Sequence, residues 1–131
     1  MTPAEILRKS ADIIERDGHN KGSAFAYPRL RRSQGVTWEQ LIDDAVTCAP
    51  VSIEGAMERA IWGKVQRFET FRVDSVGLGE LVETRNYFCD WLAWNRGITD
   101  LGSWNDDPDT TAETVVLLLR TAADEWTEPP F

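Results

Sequence analysis

A chain of 131 residues with a formal net charge of −8 is one domain by size, and its sign discourages non-specific binding to nucleic acid. Six tryptophans and 42% hydrophobic residues exclude a disordered chain and suffice for a core without disulfides. Two distant cysteines, Cys48 and Cys89, with the single histidine His19, form neither a disulfide framework nor a structural zinc motif.

Residues 2–17 begin with a capping box: Thr2 at the cap, Pro3 at the first helical position and Glu5 at the third. Ile6, Leu7, Ser10, Ala11, Ile13 and Ile14 then supply one apolar face, and Gly18 is placed to end the helix. Residues 18–36 carry Gly18, Gly22, Pro28 and Gly35, breakers that interrupt any long helix. A small two-stranded ribbon near residues 23–31 is compatible with this stretch. Phe25, Tyr27, Arg29, Arg31 and Arg32 make it the first candidate interaction surface. The competing reading has Phe25 and Tyr27 plugging the core and the arginines solvated.

Thr37 and Gln40 open the next helix, with Trp38, Leu41, Ile42, Ala45 and Val46 expected on its buried side. The following helix is expected to start at a Ser52 cap, turn Ile53, Ala56, Met57, Ala60 and Ile61 inward, and end at Gly63. Gly55 inside it points to close helix–helix approach. Residues 64–77 read as a loop or short extended piece, after which Leu78–Trp94 reads as a long helix capped by Asp74 or Ser75 and closed by Gly97. Its expected inner stripe runs through Leu78, Leu81, Val82, Arg85, Phe88, Trp91, Leu92 and Asn95.

The last helix is the most clearly signalled. Thr110 and Glu113 form a third capping-box pattern, and Asp106, Asp107 and Asp109 place negative charge at the positive helix end. Val115, Leu118, Leu119, Ala122 and Trp126 repeat at helical spacing. Trp104 is expected to anchor the preceding turn together with Asn105 and Asp106. Residues 127–131 read as a flexible tail. The expected architecture is a single all-α domain over 1–131, an orthogonal bundle of four or five helices.

The motifs for chemistry are weak. Cys48 as nucleophile, His19 as base and Asp106 or Asn105 as orienting group would make a cysteine-enzyme triad, but geometry alone decides such a triad. A buried structural role is the expectation for Cys48, and no carboxylate pair stands out for acid–base work. Asp106 to Asp109 lack the alternating ligands and central glycine of a calcium loop. Gly77–Glu80 lacks the lysine of a phosphate loop and more simply begins a helix. No catalytic residue, metal ligand or cofactor is therefore assigned.

Charge is segregated: residues 21–35 hold Lys21, Arg29, Arg31 and Arg32 without an acid, whereas residues 100–131 hold eight acids and only Arg120 as a base. Tyr27 with these arginines supports a nucleic-acid alternative over 21–32, which the overall acidity opposes. Trp62 and Trp94 would join an interaction surface if exposed, because tryptophan and arginine dominate binding hot spots.

The order of elements carries a further signal. A helix ending at Gly18 is followed by NKG, Cys48 precedes SIEGAMERAIWG, and ITDLGSWNDDPDTTAETVVLLLRTAAD closes the pattern. This resembles the uncharacterised family of domain of unknown function 6197, small proteins of actinobacteria and their phages. The resemblance is strongest over 98–123, through Trp104-Asn105-Asp106, Pro108, Thr110 and Glu113. His19 stands where that family commonly has an aromatic residue. The resemblance implies a helical phage-type accessory protein and carries over no catalytic residue. A host or phage protein is the expected partner, with a homodimer as a further option, and the absence of a long apolar span suggests the host cytoplasm and no membrane.

Overall fold

A computed structural model of the chain describes residues 1–28, 35, 37–66 and 76–130. Six helices occur among them: α1 (Pro3–Asp17), α2 (Trp38–Cys48), α3 (Ile53–Trp62), α4 (Leu78–Arg96), α5 (Leu101–Asp106) and α6 (Ala112–Glu125). The fold is all-α. It holds more helices than the four or five expected, because the short turn of α5 is helical in its own right, capped by Asp100 on the Ser103 amide.

Local sequence sets most helix starts. In α1, Thr2 Oγ1 accepts from the Glu5 amide at 3.2 Å while the Glu5 carboxylate accepts from the Thr2 amide. Thr37 and Gln40 repeat the arrangement in α2, and Ser52 caps α3 through the Gly55 amide at 3.0 Å. The cap of α6 lies one residue beyond its expected place. Thr111, not Thr110, accepts from the Thr114 amide, and Thr110 is buried with its own amide donating to the Asp107 carbonyl. Both threonines are competent caps; the turn at Asp107–Thr110 selects the second. At α4 the cap is Gly77 in the left-handed region, with no side-chain bond. Asp74 and Ser75, the expected caps, lie outside the described residues.

The core gathers around α1, which packs most extensively against α6 and α3 and also meets α4. Ile6, Leu7, Ala11 and Ile14 are sealed there with Met57, Val115, Leu119 and Phe88. Two expected faces are corrected. On α4 the buried stripe is Thr84, Phe88, Trp91 and Leu92, leaving Leu78 and Val82 exposed and Leu81 half-buried. Trp38 is exposed, because the first turn of α2 projects beyond the core that holds Ile42, Ala45 and Val46.

The described part of the 23–31 ribbon is also different. His19 and Phe25 each bridge to Val51, in parallel and antiparallel sense. The amides of Asn20 and Ala26 donate to the carbonyls of Val51 and Pro50, and those of Val51 and Ser52 donate to Gly18 and Ala24. Among the described residues the pairing joins 18–26 to the α2–α3 connection; residues 29–31 of the expected ribbon lie outside the described residues. Gly55 serves this junction: a Cβ there would stand 2.2 Å from the Ala24 carbonyl oxygen. Its close approach is therefore to a loop backbone, where helix–helix contact was expected.

A buried cation ties α2 to the rest. Arg59 of α3, 3% exposed, donates to the carbonyls of Ala45, Val46 and Ala49 at the end of α2 and to Asp17 at the end of α1. Those carbonyls carry the negative end of α2, which has no basic residue of its own in the last turn. Burial pulls the Arg59 guanidinium below the usual arginine range, and Asp17 opposes that shift. Arg59→Ala should lower stability by about 2–4 kcal/mol, since it leaves the carbonyls of Ala45, Val46 and Ala49 without their donor, while Asp17 keeps its pair with Arg16. Chemical denaturation monitored by circular dichroism measures the loss.

Candidate functional site

A cleft of about 680 Å³ opens between α3, α4, α5 and residues 22–24. Ile53 and Leu101 are buried in its wall, Leu81 is half-buried, and Leu78 and Val82 present exposed aliphatic surface to it. Glu54, Glu58, Arg85 and Asn86 supply its polar side groups. An apolar wall with a few convergent polar groups is the common composition of a binding pocket, and the volume lies in the range that accepts a small molecule or a few side chains.

Asn105 holds one end of this cleft together. Its Oδ1 accepts from the Ile53 amide at 3.0 Å and from His19 Nε2 at 2.8 Å; its Nδ2 donates to the Asn20 carbonyl and to Asp106 Oδ1. The partners allow only one orientation of the amide, and an oxygen acceptor requires the proton on His19 Nε2. Every hydrogen-bonding position of a buried side chain is thereby used, across α3, α5 and the 18–26 segment. Asp106 continues the junction by accepting from the Gly22 amide at 2.8 Å, and Lys21 donates to the Asp107 carbonyl. The Gly22 amide, then Asn105, hold the Asp106 carboxyl below the usual carboxylate range. The acidic turn was expected to serve the start of α6; Asp106 and the Asp107 carbonyl are instead directed at the 18–26 segment.

On the opposite wall the carboxylates of Glu54 and Glu58 stand one helical turn apart. Glu54 Oε1 pairs with Arg85 Nε at 3.0 Å across to α4, an exposed pair of small energetic worth. Glu58 is half-buried and accepts from the Gln66 backbone amide. Burial, with Glu54 adding to it, pushes the Glu58 carboxyl from 4.5 to about 7. No carboxylate pair stood out in the sequence, although the four-residue spacing was readable. What could not be read was that the cleft would desolvate Glu58.

The residues singled out from the sequence are scattered. Phe25 is buried and packs on Tyr27 at 4.7 Å between centroids, while Tyr27 is exposed. Trp62 is half-buried, its Nε1 donating to the Val76 carbonyl at the α4 entry. Trp94 is 87% exposed. Trp104 is half-buried near the Phe88 ring, and Glu113 is exposed in the first turn of α6. Arg29, Arg31 and Arg32 lie outside the described residues.

Cys48 was expected to be buried near a helix start. It is exposed at the end of α2, its thiol donating to the Asp44 carbonyl of its own helix. His19 Nε2 donates to Asn105 Oδ1, as the expected orienting contact would, but the Cys48 thiol is directed at its own helix instead of at His19. No helix among the described residues is long and apolar enough to cross a membrane.

Two outcomes check this geometry. Asn105→Ala leaves the Ile53 amide and Asn20 carbonyl without partners and should cost about 2–4 kcal/mol, with faster exchange of the Ile53 amide proton. Glu58 has a folded-state value above its ordinary one, so its contribution to stability is full below about pH 4.5 and is lost as pH rises through about 7. Glu58→Gln should therefore raise the thermal midpoint at pH 8 and leave it nearly unchanged at pH 4.

No curated protein and no solved structure matches the sequence. A family model does, over residues 1–125, nearly the whole chain and well beyond the 98–123 stretch where the resemblance is sharpest. The matched residues take in the six described helices and the residues that line the cleft, and the chain belongs to DUF6197, a family of unknown function.

Proposed function

We propose that the protein acts by binding: it is a small phage-type accessory protein that takes a segment of a host or phage protein into the cleft beside α4. The observation that supports this is the cleft itself, in which Leu78 and Val82 leave aliphatic surface in water next to an ordered polar wall. Exposed aliphatic side chains gathered at a concavity release water when covered, which favours association. The actinobacterial or actinophage setting comes from the family resemblance, and the host cytoplasm is where such a protein would work. Trp94 offers a second exposed anchor on the same helix, outside the cleft lining.

Val82→Arg introduces charge at an exposed position, where stability changes stay within about 0.5 kcal/mol. Captured partner from an actinobacterial lysate, quantified by mass spectrometry, should fall at least severalfold with Val82→Arg. It should be unchanged by Leu117→Arg, at an exposed position outside the cleft. Loss of capture with Trp94→Ala but not with Val82→Arg would move the interface away from the cleft.

A further inference from the structure

The cleft also carries a charge preference. Among the described residues of its walls stand the acids Glu54, Glu58 and Asp106 and the base Arg85. Asp106 is engaged by the Gly22 amide and Asn105, and Arg85 by Glu54. Among the described residues Glu58 has no ion-pair partner and accepts from a backbone amide, that of Gln66. A half-buried carboxylate one turn from a second carboxylate, beside aliphatic surface, is complementary to a cation that brings its own apolar flanks. Lysine and arginine have this form, since an aliphatic stem bears the charged head.

We infer that the segment occupying the cleft carries a lysine or arginine whose head group lies against Glu58 and Glu54, while apolar neighbours cover Leu78, Leu81 and Val82. This rests on the binding reading above and names the chemistry of the partner. The charge balance of the chain agrees, because a protein of net charge −8 attracts basic segments over distance. A neutral apolar segment would cover Val82 and Leu78 equally well but would leave Glu58 more deeply desolvated beside Glu54. An acidic segment would add a third carboxylate to the same wall.

The proposal has a pH signature. Among the described residues, the groups that face Glu58 are Glu54 on its own helix, Arg85 of α4 through Glu54, and the Gln66 amide. With its carboxyl at about 7, Glu58 is mostly neutral at pH 6 and mostly ionised at pH 8. A bound cation selects the ionised form, so affinity should rise about tenfold between those values.

The test uses the full chain and three synthetic peptides of one apolar sequence that differ only at a central lysine, norleucine or glutamate. Titration calorimetry at pH 6 and 8 reads the affinities. The lysine peptide should bind about tenfold more tightly than the norleucine peptide at pH 8, a difference of about 1.4 kcal/mol. That preference should shrink at pH 6. Glu58→Gln should remove the pH dependence and most of the preference without weakening the norleucine peptide. Equal binding of the lysine and norleucine peptides, a preference indifferent to Glu58→Gln, or no binding by any peptide would overturn the proposal. If the two peptides bind equally and Val82→Arg abolishes both, the cleft still binds a partner and only the cation preference fails. If Val82→Arg also leaves captured partner unchanged, the binding reading fails with it.

Discussion

The side-chain amide of Asn105 joins three parts of the chain: the start of α3, residues 18–26 and α5. It receives the first amide of α3 and the ring of His19, and it gives its own protons to the Asn20 carbonyl and Asp106. A buried amide with all its positions used is rigid, because each alternative orientation opposes donor to donor or acceptor to acceptor. The start of α3 and residues 18–26 are consequently fixed relative to α5, and so is one end of the cleft. Asp106 and Lys21 extend the same junction at the surface, where the energy is smaller and the register is still defined.

Arg59 does comparable work on the other side of α3. It gathers the end of α1 and the end of α2 onto one guanidinium, whose planar fork can serve several carbonyl and carboxylate oxygens at once. Helix α3 thus has its first turn held by Asn105 and its later turns held by Arg59. Between them, Glu54 and Glu58 occupy the face that α2 and α1 do not use. The cleft is where α3, pinned at both ends, faces α4 across aliphatic side chains that the core does not cover. Glu58 is partly desolvated there because the wall around it is apolar, and its proton affinity follows from that position.

Much of the fold was legible because its information is local. Thr2 with Glu5, Thr37 with Gln40, and Ser52 mark helix starts by bonds that span only three residues. The same local rule could not separate Thr110 from Thr111, since either hydroxyl can cap and only the turn at Asp107 decides. Periodicity found the faces of α1, α3 and α6. On α4 it found Phe88, Trp91 and Leu92 but misplaced the first turns, where exposed Val82 and Leu78 fit an apolar stripe as well as buried Thr84 does. Of the candidate site, the spacing of Glu54 and Glu58 was visible and its consequence was not. Cys48 looked like core beside Ala49 and Val51, yet helix geometry turns it to solvent at the end of α2.

By itself, then, the amino-acid order determined an all-α chain, the positions of its main helices and the marker Trp104-Asn105-Asp106 of its family. These depend on spacing along the chain, on capping side chains and on residue type. Tertiary structure alone decided that Asn105 would bond to His19 and Ile53, that Arg59 would be buried against Asp17, and that Glu58 would share a cleft with Leu81 and Val82. Those partners lie far apart in sequence, and the strength of each contact is set by how completely the packed helices exclude water from it.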